Sequence, residues 1–415
     1  MDPQERTYLR ELARTQAEYA ALPVMAERAE RWHAHNACRS DRPMVVIELN
    51  TFLRDFLPPL RCTSPEAQQI ERSLLIWTRN HELVDDDKVV PDFFAVHTHI
   101  HHRLCGLDLQ ADHAADEEGR SIGYHFDQPI RDLREDWDVV QPSEWWADRE
   151  ATARDMAIAE DVLGDILPVV EENRSLDWGG MLSWRALRLM SMEGMLTALM
   201  DTPDEFHRLM AFLRDDLLAY MRWQEAEGLL TLNNGNHYAG AGSYGYTDEL
   251  PAPGFDGHVR LCDRWHNLNS QETVGVSPRM FAEFYAPYYH DIARVAGLVY
   301  FGCCEPVDKL WEGSLRAMPN LRKVSISPWC NQAYMGEALR GQKVIYSRKP
   351  MPQFLGVGNT WDEEGFAVHV AETLTAARGC TLEFIYRDVY SLGGDVDKPR
   401  KAVRTIRRLI DEMWN

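Results

Sequence analysis

Residues 298–306 read LVYFGCCEP. Leu298, Val299, Tyr300 and Phe301 make the short, unbroken apolar run expected of a strand buried on both faces. Gly302 permits a close backbone approach or a break in pairing. Cys303, Cys304 and Glu305 follow, where that strand delivers its last residues. In parallel α/β proteins that end of the strands is where ligands bind. Two soft thiols and a hard carboxylate in three positions allow a metal site, a nucleophile with its base, or plain buried packing.

Outward from this stretch, the chain repeats a rhythm of short apolar runs and helical segments. Residues 43–49 (PMVVIEL) read as the first strand, 88–97 (KVVPDFFAVH) as a second interrupted by Pro91, 162–170 as containing a third, and 229–232 as a fourth. Residues 298–301 are then the fifth, followed by 323–327, 344–347 and 381–386. Helical patterns fall between them, most clearly over 187–228, where Thr202, Pro203 and Asp204 make a good helix start. Strands alternating with helices, joined by right-handed crossovers, predict an α/β fold: a (β/α)8 TIM barrel over residues 41–415. Residues 1–40 read as an N-terminal helical extension, broken near Pro23. Residues 106–142, acidic and poorly periodic, read as an insertion after the second strand with a short strand of their own near 122–126.

Bulk composition narrows the function classes. The chain has 415 residues, 45% of them hydrophobic, and a formal net charge of −21. An acidic chain of this kind lacks the clustered Lys and Arg that neutralise phosphate, so nucleic acid and anionic membrane surfaces are not expected partners. The first residues, MDPQERTYLRELARTQAEY, are charged throughout, unlike a secretory signal, and a cytoplasmic location is expected. Eight cysteines spread over this length are expected as free thiols, core residues or ligands rather than a disulfide framework. A large acidic barrel with aromatic loops is compatible with a homodimer.

If the strands close as expected, their ends gather a polar set. It comprises Glu48, His97, Asn233, Asn234, Asn236, His237 and Tyr238, then Cys303, Cys304 and Glu305. Trp329, Cys330, Arg348, Lys349, Arg387 and Asp388 complete it. Strand alternation puts Cys303 and Glu305 on one face and Cys304 on the other. Arg348, Lys349 and Arg387 suit a grip on a carboxylate or phosphate. The loop NNGNHYAGAGSYGY, 233–246, supplies donors and permissive backbone and reads as a binding loop, with an ordinary glycine loop as the alternative. His97, His99, His101 and His102 (HTHIHH) have metal-ligand spacing if the second strand continues, and are otherwise an exposed loop.

Two stretches carry a resemblance: LMDTPDEFHRLMAFLRDDLLAYMRWQEAEG, 199–228, and DRWHNLNSQETVGVSPRMFAEFYAPYYHDIARVAGLVYFGCCEP, 263–306. Both resemble the uroporphyrinogen decarboxylase superfamily, which implies a (β/α)8 barrel. The arginine-rich segment of true uroporphyrinogen decarboxylases is replaced here by VVIELNTFLRDF, 45–56. The corrinoid-linked methyltransferases of that superfamily bind zinc through an H-x-C-G motif at the fifth strand's end. Cys303 aligns with its cysteine, Phe301 with its histidine and Cys304 with its glycine. The resemblance therefore implies a zinc-dependent methyltransferase working with a small molecule or a corrinoid protein. Its zinc would be held by Cys303 and by some of Glu305, His237, Cys304 and Cys330. The rival enzyme reading is a metal-independent decarboxylase or lyase, with Arg348, Arg387 or Lys349 holding a carboxylate and Glu48 or Asp388 moving the proton. A non-enzymatic partner of a corrinoid protein and a histidine-based hydrolase are the remaining readings. Asn233, Asn234, Asn236, Tyr238, Trp329, Lys349 and Arg387 are the expected substrate contacts. Glu48, Asp388 and Arg348 are the expected catalytic groups.

Overall fold

The computed structural model describes residues 1–109, 111–115, 121–126 and 128–414. Its centre is a six-stranded sheet. We number the strands β1 (Met44–Ile47), β2 (Phe94–His97), β3 (Val169–Glu172), β4 (Trp265–Leu268), β5 (Leu298–Phe301), β6 (Leu321–Ile326), β7 (Ile345–Arg348) and β8 (Leu382–Tyr386). The sheet order is β1-β8-β7-β6-β5-β4, and β2 and β3 form a separate parallel pair. Every neighbouring pair within the sheet is parallel. Strands β1, β4, β5 and β8 are buried at every position, and in β1 and β5 the run is apolar throughout, as a strand covered on both faces requires.

The expected fourth strand at 229–232 is not one. Its place beside β5 is taken by Trp265–Leu268, a segment whose polar His266 and Asn267 mask its strand character. Nor does a continuous ladder close the expected barrel among the described residues, because side chains occupy the two sheet edges. On β1, the Asp87 and Asp86 carboxylates accept the Val45 and Ile47 N–H groups at 2.7 and 2.8 Å. On β4, the Asn233 carboxamide accepts the Trp265 N–H at 2.8 Å and donates to its carbonyl at 3.1 Å. Edge groups are thereby satisfied without a further strand. From the end of the β2–β3 pair, Asn173 donates to the Leu229 carbonyl at 2.8 Å.

Helices α1 (Pro3–Ala20) and α2 (Pro23–Asn36) form the expected N-terminal extension, separated by the expected break. The extension is anchored in the core. Trp32 is fully buried and its indole donates to the Asp87 carbonyl at 2.8 Å, and it packs with Met44, Val46 and Ile385 of β1 and β8. Helix α3 (Pro65–Leu83) follows β1, α4 (Arg149–Leu163) precedes β3, and α5 (Leu182–Asp201) and α6 (Pro203–Ala226) form the long helical region. Part of the expected insertion lies outside the described residues. Within it Ala111–Ala115 pairs antiparallel with Ser121–Phe126. No described helix is long and apolar enough to cross a membrane.

The loop expected to bind ligand contributes a hairpin, Tyr238–Gly240 with Ser243–Tyr244, that packs against the sheet. A Cβ on Gly240 would meet the Tyr300 ring at 2.5 Å, and one on Gly242 would meet Ile385 at 2.6 Å. Only glycine lets the hairpin backbone approach so closely. Beneath it, Lys323 of β6 and Glu383 of β8 form a fully buried ion pair at 3.1 Å, joined by His35 of α2 and Ser243 of the hairpin. Burial by itself raises Glu383, but Lys323, His35 and Lys349 outweigh it and hold the carboxyl below the ordinary range.

Candidate active site

The site begins where β5 ends. Gly302 takes φ +99°, and a Cβ there would come within 3.0 Å of Ser325 on β6. The extended chain stops here, so the strict alternation expected for Cys303, Cys304 and Glu305 does not continue. The two sulfurs come to the same side, 3.4 Å apart. Glu305 turns back into the protein. Its carboxylate accepts the Cys303 N–H and the Ser270 N–H, each at 2.8 Å, while Ser325 donates to the Cys303 carbonyl at 2.6 Å. Glu305 is therefore a brace that fixes the thiol loop, not a ligand facing the mouth.

From β8's end, Asp388 reaches across to this pair. Cys304 donates to its carboxylate at 3.0 Å. Asp388 sits at φ +61°, a left-handed conformation uncommon for a residue with a side chain. The hydrogen bond with Cys303, and then burial, push the Cys304 thiol well above the ordinary thiol range, so Cys304 keeps its proton. Arg387 stands between two carboxylates, Glu48 at 3.2 Å and Asp388 at 3.3 Å. Burial opposes its charge, but Glu48, Cys303 and Asp388 together hold the guanidinium firmly protonated. Arg387 lies over the Trp178 ring at 5.3 Å, and Trp178 packs against Tyr238 at 5.7 Å. The Tyr238 hydroxyl and the Arg387 Nη1 are buried without a hydrogen-bond partner. Such bare donors beside the two thiols are what a bound molecule would satisfy.

Lys349 follows β7 and is buried. Its ammonium donates to the Tyr300 hydroxyl at 2.6 Å and to Ser347 at 3.0 Å. Burial lowers it to about 7, against the pull of Glu383. Glu48, Tyr238, Cys303, Cys304, Lys349, Arg387 and Asp388 thus belong to one neighbourhood, linked by these contacts and by the charges that act on Lys349 and Arg387.

Other expected site residues lie elsewhere. Arg348 alternates to the opposite face from Ser347 and donates to the Ile326 and Ser327 carbonyls at 3.2 and 2.6 Å, so it is not placed to grip a substrate with Arg387. Asn233 caps β4, and Asn234 donates to the Leu250 carbonyl at 2.8 Å, which makes both structural. Trp329 is 63% exposed and outside the cluster's contacts. Cys330 is buried near Ser327 and the Glu305 carbonyl. The histidine run disperses: His99 pairs with Asp155 at 2.7 Å, while His101 and His102 stack on Trp146 and Trp145.

Among the described residues His97 and His237 meet a common group, the Glu172 carboxylate, at 3.6 and 4.0 Å. They line a cavity of about 240 Å³ that also touches Glu48, Tyr238 and Asn236. The expected zinc set therefore does not assemble. Cys303 and Cys304 come together, but Glu305 is turned inward, Cys330 lies behind it and His237 belongs to the cavity. Among the described residues no three Cys, His, Asp or Glu side chains are placed to hold a metal ion. The sequence reading missed Trp178 and Glu172. For Glu172 a signal existed: like Glu48, it ends a strand after an apolar run.

No family model and no curated protein matches the chain. Among solved structures, the fold is similar to that of a methyltransferase from Methanosarcina mazei, with a TM-score of 0.52 and 13% identity, over 94% of this chain and 99% of that one. At that identity the likeness is one of fold: an α/β protein built on a central parallel sheet with many helices.

Proposed function

We propose that this chain is a methyltransferase of the uroporphyrinogen-decarboxylase-like barrel class, with the Cys303–Cys304 pair as its reaction centre. The observation that carries the reading is the 3.4 Å approach of two thiols at the C-terminal edge of a parallel sheet, with Asp388 and Arg387 beside them. The fold likeness to a methyltransferase supports it. A thiol accepts a methyl group best as its thiolate. In this reading Cys303 takes the proton of the acceptor thiol, whose sulfur bonds the methyl carbon while the bond from the methyl group to its donor breaks with its electron pair left on the donor. Cys304, held protonated and hydrogen-bonded to Asp388, stands beside it as a neutral hydrogen-bond partner. Arg387, kept in place by Glu48 and Trp178, and the free Tyr238 hydroxyl orient the substrate.

The proposed methyl source is a corrinoid protein, for which methylcobalamin serves as probe. Methylcobalamin, a small thiol acceptor and purified protein are incubated and the demethylated corrinoid is followed by its spectrum. Turnover that falls at least about a hundredfold in Cys303→Ser is expected, the range typical of losing a covalent or acid–base group. Equal turnover in Cys303→Ser would remove the thiol centre from the reading. Absence of turnover in the unaltered protein would remove the corrinoid donor.

A further inference from the structure

At the end of β5 the chain brings together the parts of a dithiol–disulfide couple. The Cys303 and Cys304 sulfurs are 3.4 Å apart. Cys303 is pinned by its backbone, its N–H on the Glu305 carboxylate and its carbonyl on Ser325. Strand pairing has ended at Phe301, so a bond between the sulfurs bends a loop and breaks no ladder. Cys304 donates its S–H to the Asp388 carboxylate at 3.0 Å, so a base stands ready for the proton this thiol gives up when its sulfur forms a bond. Cys330 is engaged elsewhere, with Ser327 and the Glu305 carbonyl. Access is from the Cys304 side, because Cys304 is half-buried and Cys303 is 2% exposed. An oxidant that reaches Cys303 is therefore a small one.

We propose that Cys303 and Cys304 form a peroxide-responsive switch, closing to a disulfide with each other and reopening with a small thiol. The thiolate is the nucleophile, and Cys304 keeps its proton, so Cys303 reacts first. Its sulfur attacks one oxygen of hydrogen peroxide, the O–O bond breaks, and hydroxide leaves a sulfenic acid on Cys303. The Cys304 sulfur then attacks the Cys303 sulfur, its proton passes to Asp388, and the S–O bond breaks with loss of hydroxide. Two thiols are oxidised and the peroxide is reduced to water. Reopening consumes two molecules of a small thiol, the first attacking the more accessible Cys304 sulfur, and releases their disulfide. Adjacent Cα atoms stand about 3.8 Å apart across a trans peptide, below the roughly 4.4 Å at which ordinary disulfides begin. The closed bond is therefore strained, and strained disulfides are the labile ones, suited to switching rather than stapling. Closure leaves Cys303 no thiolate to take a proton, so the closed form is inactive. That consequence rests on the methyl-transfer reading; the bond itself does not.

Mass spectrometry of the whole protein tests the bond. Residues 295–309, a tryptic peptide bounded by Arg294 and Lys309, hold Cys303 and Cys304 and no other cysteine. After peroxide, then iodoacetamide, then digestion, this peptide should be two hydrogens lighter than its reduced form and carry no alkyl group. Dithiothreitol before the iodoacetamide should restore alkylation of both cysteines. In Cys304→Ser, Cys303 should stop at the sulfenic acid and be trapped by dimedone, at least about tenfold more than Cys304 in Cys303→Ser. An unchanged melting temperature in each variant shows that the fold is intact. A pair that stays reduced overturns the proposal. So does oxygen uptake to sulfinic acid without closure, a crosslink from either sulfur to another cysteine, or equal dimedone labelling of the two variants. In the methylcobalamin assay, closed protein should start with a lag that ends as the acceptor thiol reopens the bond, and immediate full turnover overturns the switch. The mass readout needs no turnover, so failure of the bond and failure of the methyl-transfer reading are told apart.

Discussion

Cys304 and Asp388, 84 positions apart in sequence, meet through a 3.0 Å hydrogen bond from thiol to carboxylate at the ends of β5 and β8. The contact opposes ionisation of Cys304, because a carboxylate accepting the S–H favours the neutral thiol. Asp388→Asn should therefore make Cys304 easier to ionise. The midpoint of its iodoacetamide alkylation against pH should fall by about one unit, equivalent to about 1.4 kcal/mol. Mass spectrometry of the labelled peptide separates Cys304 from Cys303 if each is measured in the Ser variant of the other. A midpoint that stays or rises in Asp388→Asn would show that the carboxylate does not govern the thiol.

The Lys323–Glu383 pair sets a second expectation. Both side chains are fully buried, so removing one leaves the other charge uncompensated. Lys323→Met should cost about 3–5 kcal/mol of stability. Adding Glu383→Leu should recover a good part of that loss, since an apolar pair of similar volume avoids the buried charge. Chemical denaturation of the two variants checks the ordering.

Gly242 joins the hairpin to the sheet at φ +90° with its backbone against Ile385. An alanine there meets both a left-handed backbone and a 2.6 Å clash. Gly242→Ala should destabilise the protein by about 2–4 kcal/mol, from overpacking and the strained φ together. Tyr238 stands on the same hairpin, so activity should fall further than stability alone explains. Gly254→Ala, where a Cβ meets open space at a comparable φ of +83°, is the control for the backbone contribution.

Acid should weaken the fold. His266 is buried on β4, its Nε2 bonded to the Leu261 carbonyl at 3.0 Å, and burial lowers it from 6.5 to about 4. Between those values the unfolded chain holds a proton that the folded protein does not, so stability drops as pH falls through that window and is flat above it. From pH 7 to pH 5 this one histidine should account for about 2 kcal/mol. Urea unfolding at the two pH values, with His266→Gln showing a smaller difference, measures it.

How much of this was legible beforehand differs by element. Strands β1, β5, β6, β7 and β8 and the helices around Pro203 follow from local apolar patterning, and a buried run needs no partner to be recognised. Strand β4 escaped notice because His266 and Asn267 interrupt its apolar character, and their burial depends on what lies opposite. Glu48, Cys303, Cys304, Arg387 and Asp388 were legible as candidates because polar residues following apolar strands stand out.

The sequence by itself determined strands β1, β5, β6, β7 and β8 and which of their ends carry polar residues, since both are encoded in neighbouring residues. Tertiary structure alone decided the rest. It turned Glu305 into a brace through the Ser270 and Cys303 amides and brought both thiols to one side past Gly302. It also gave the β1 and β4 edges to Asp86, Asp87 and Asn233, and sent His237 to Glu172 rather than to the cysteines. Each of these outcomes depends on a hydrogen bond or close approach between residues remote in the chain. Spacing cannot encode such contacts, because where a side chain finds its partner is settled only when the whole core has packed.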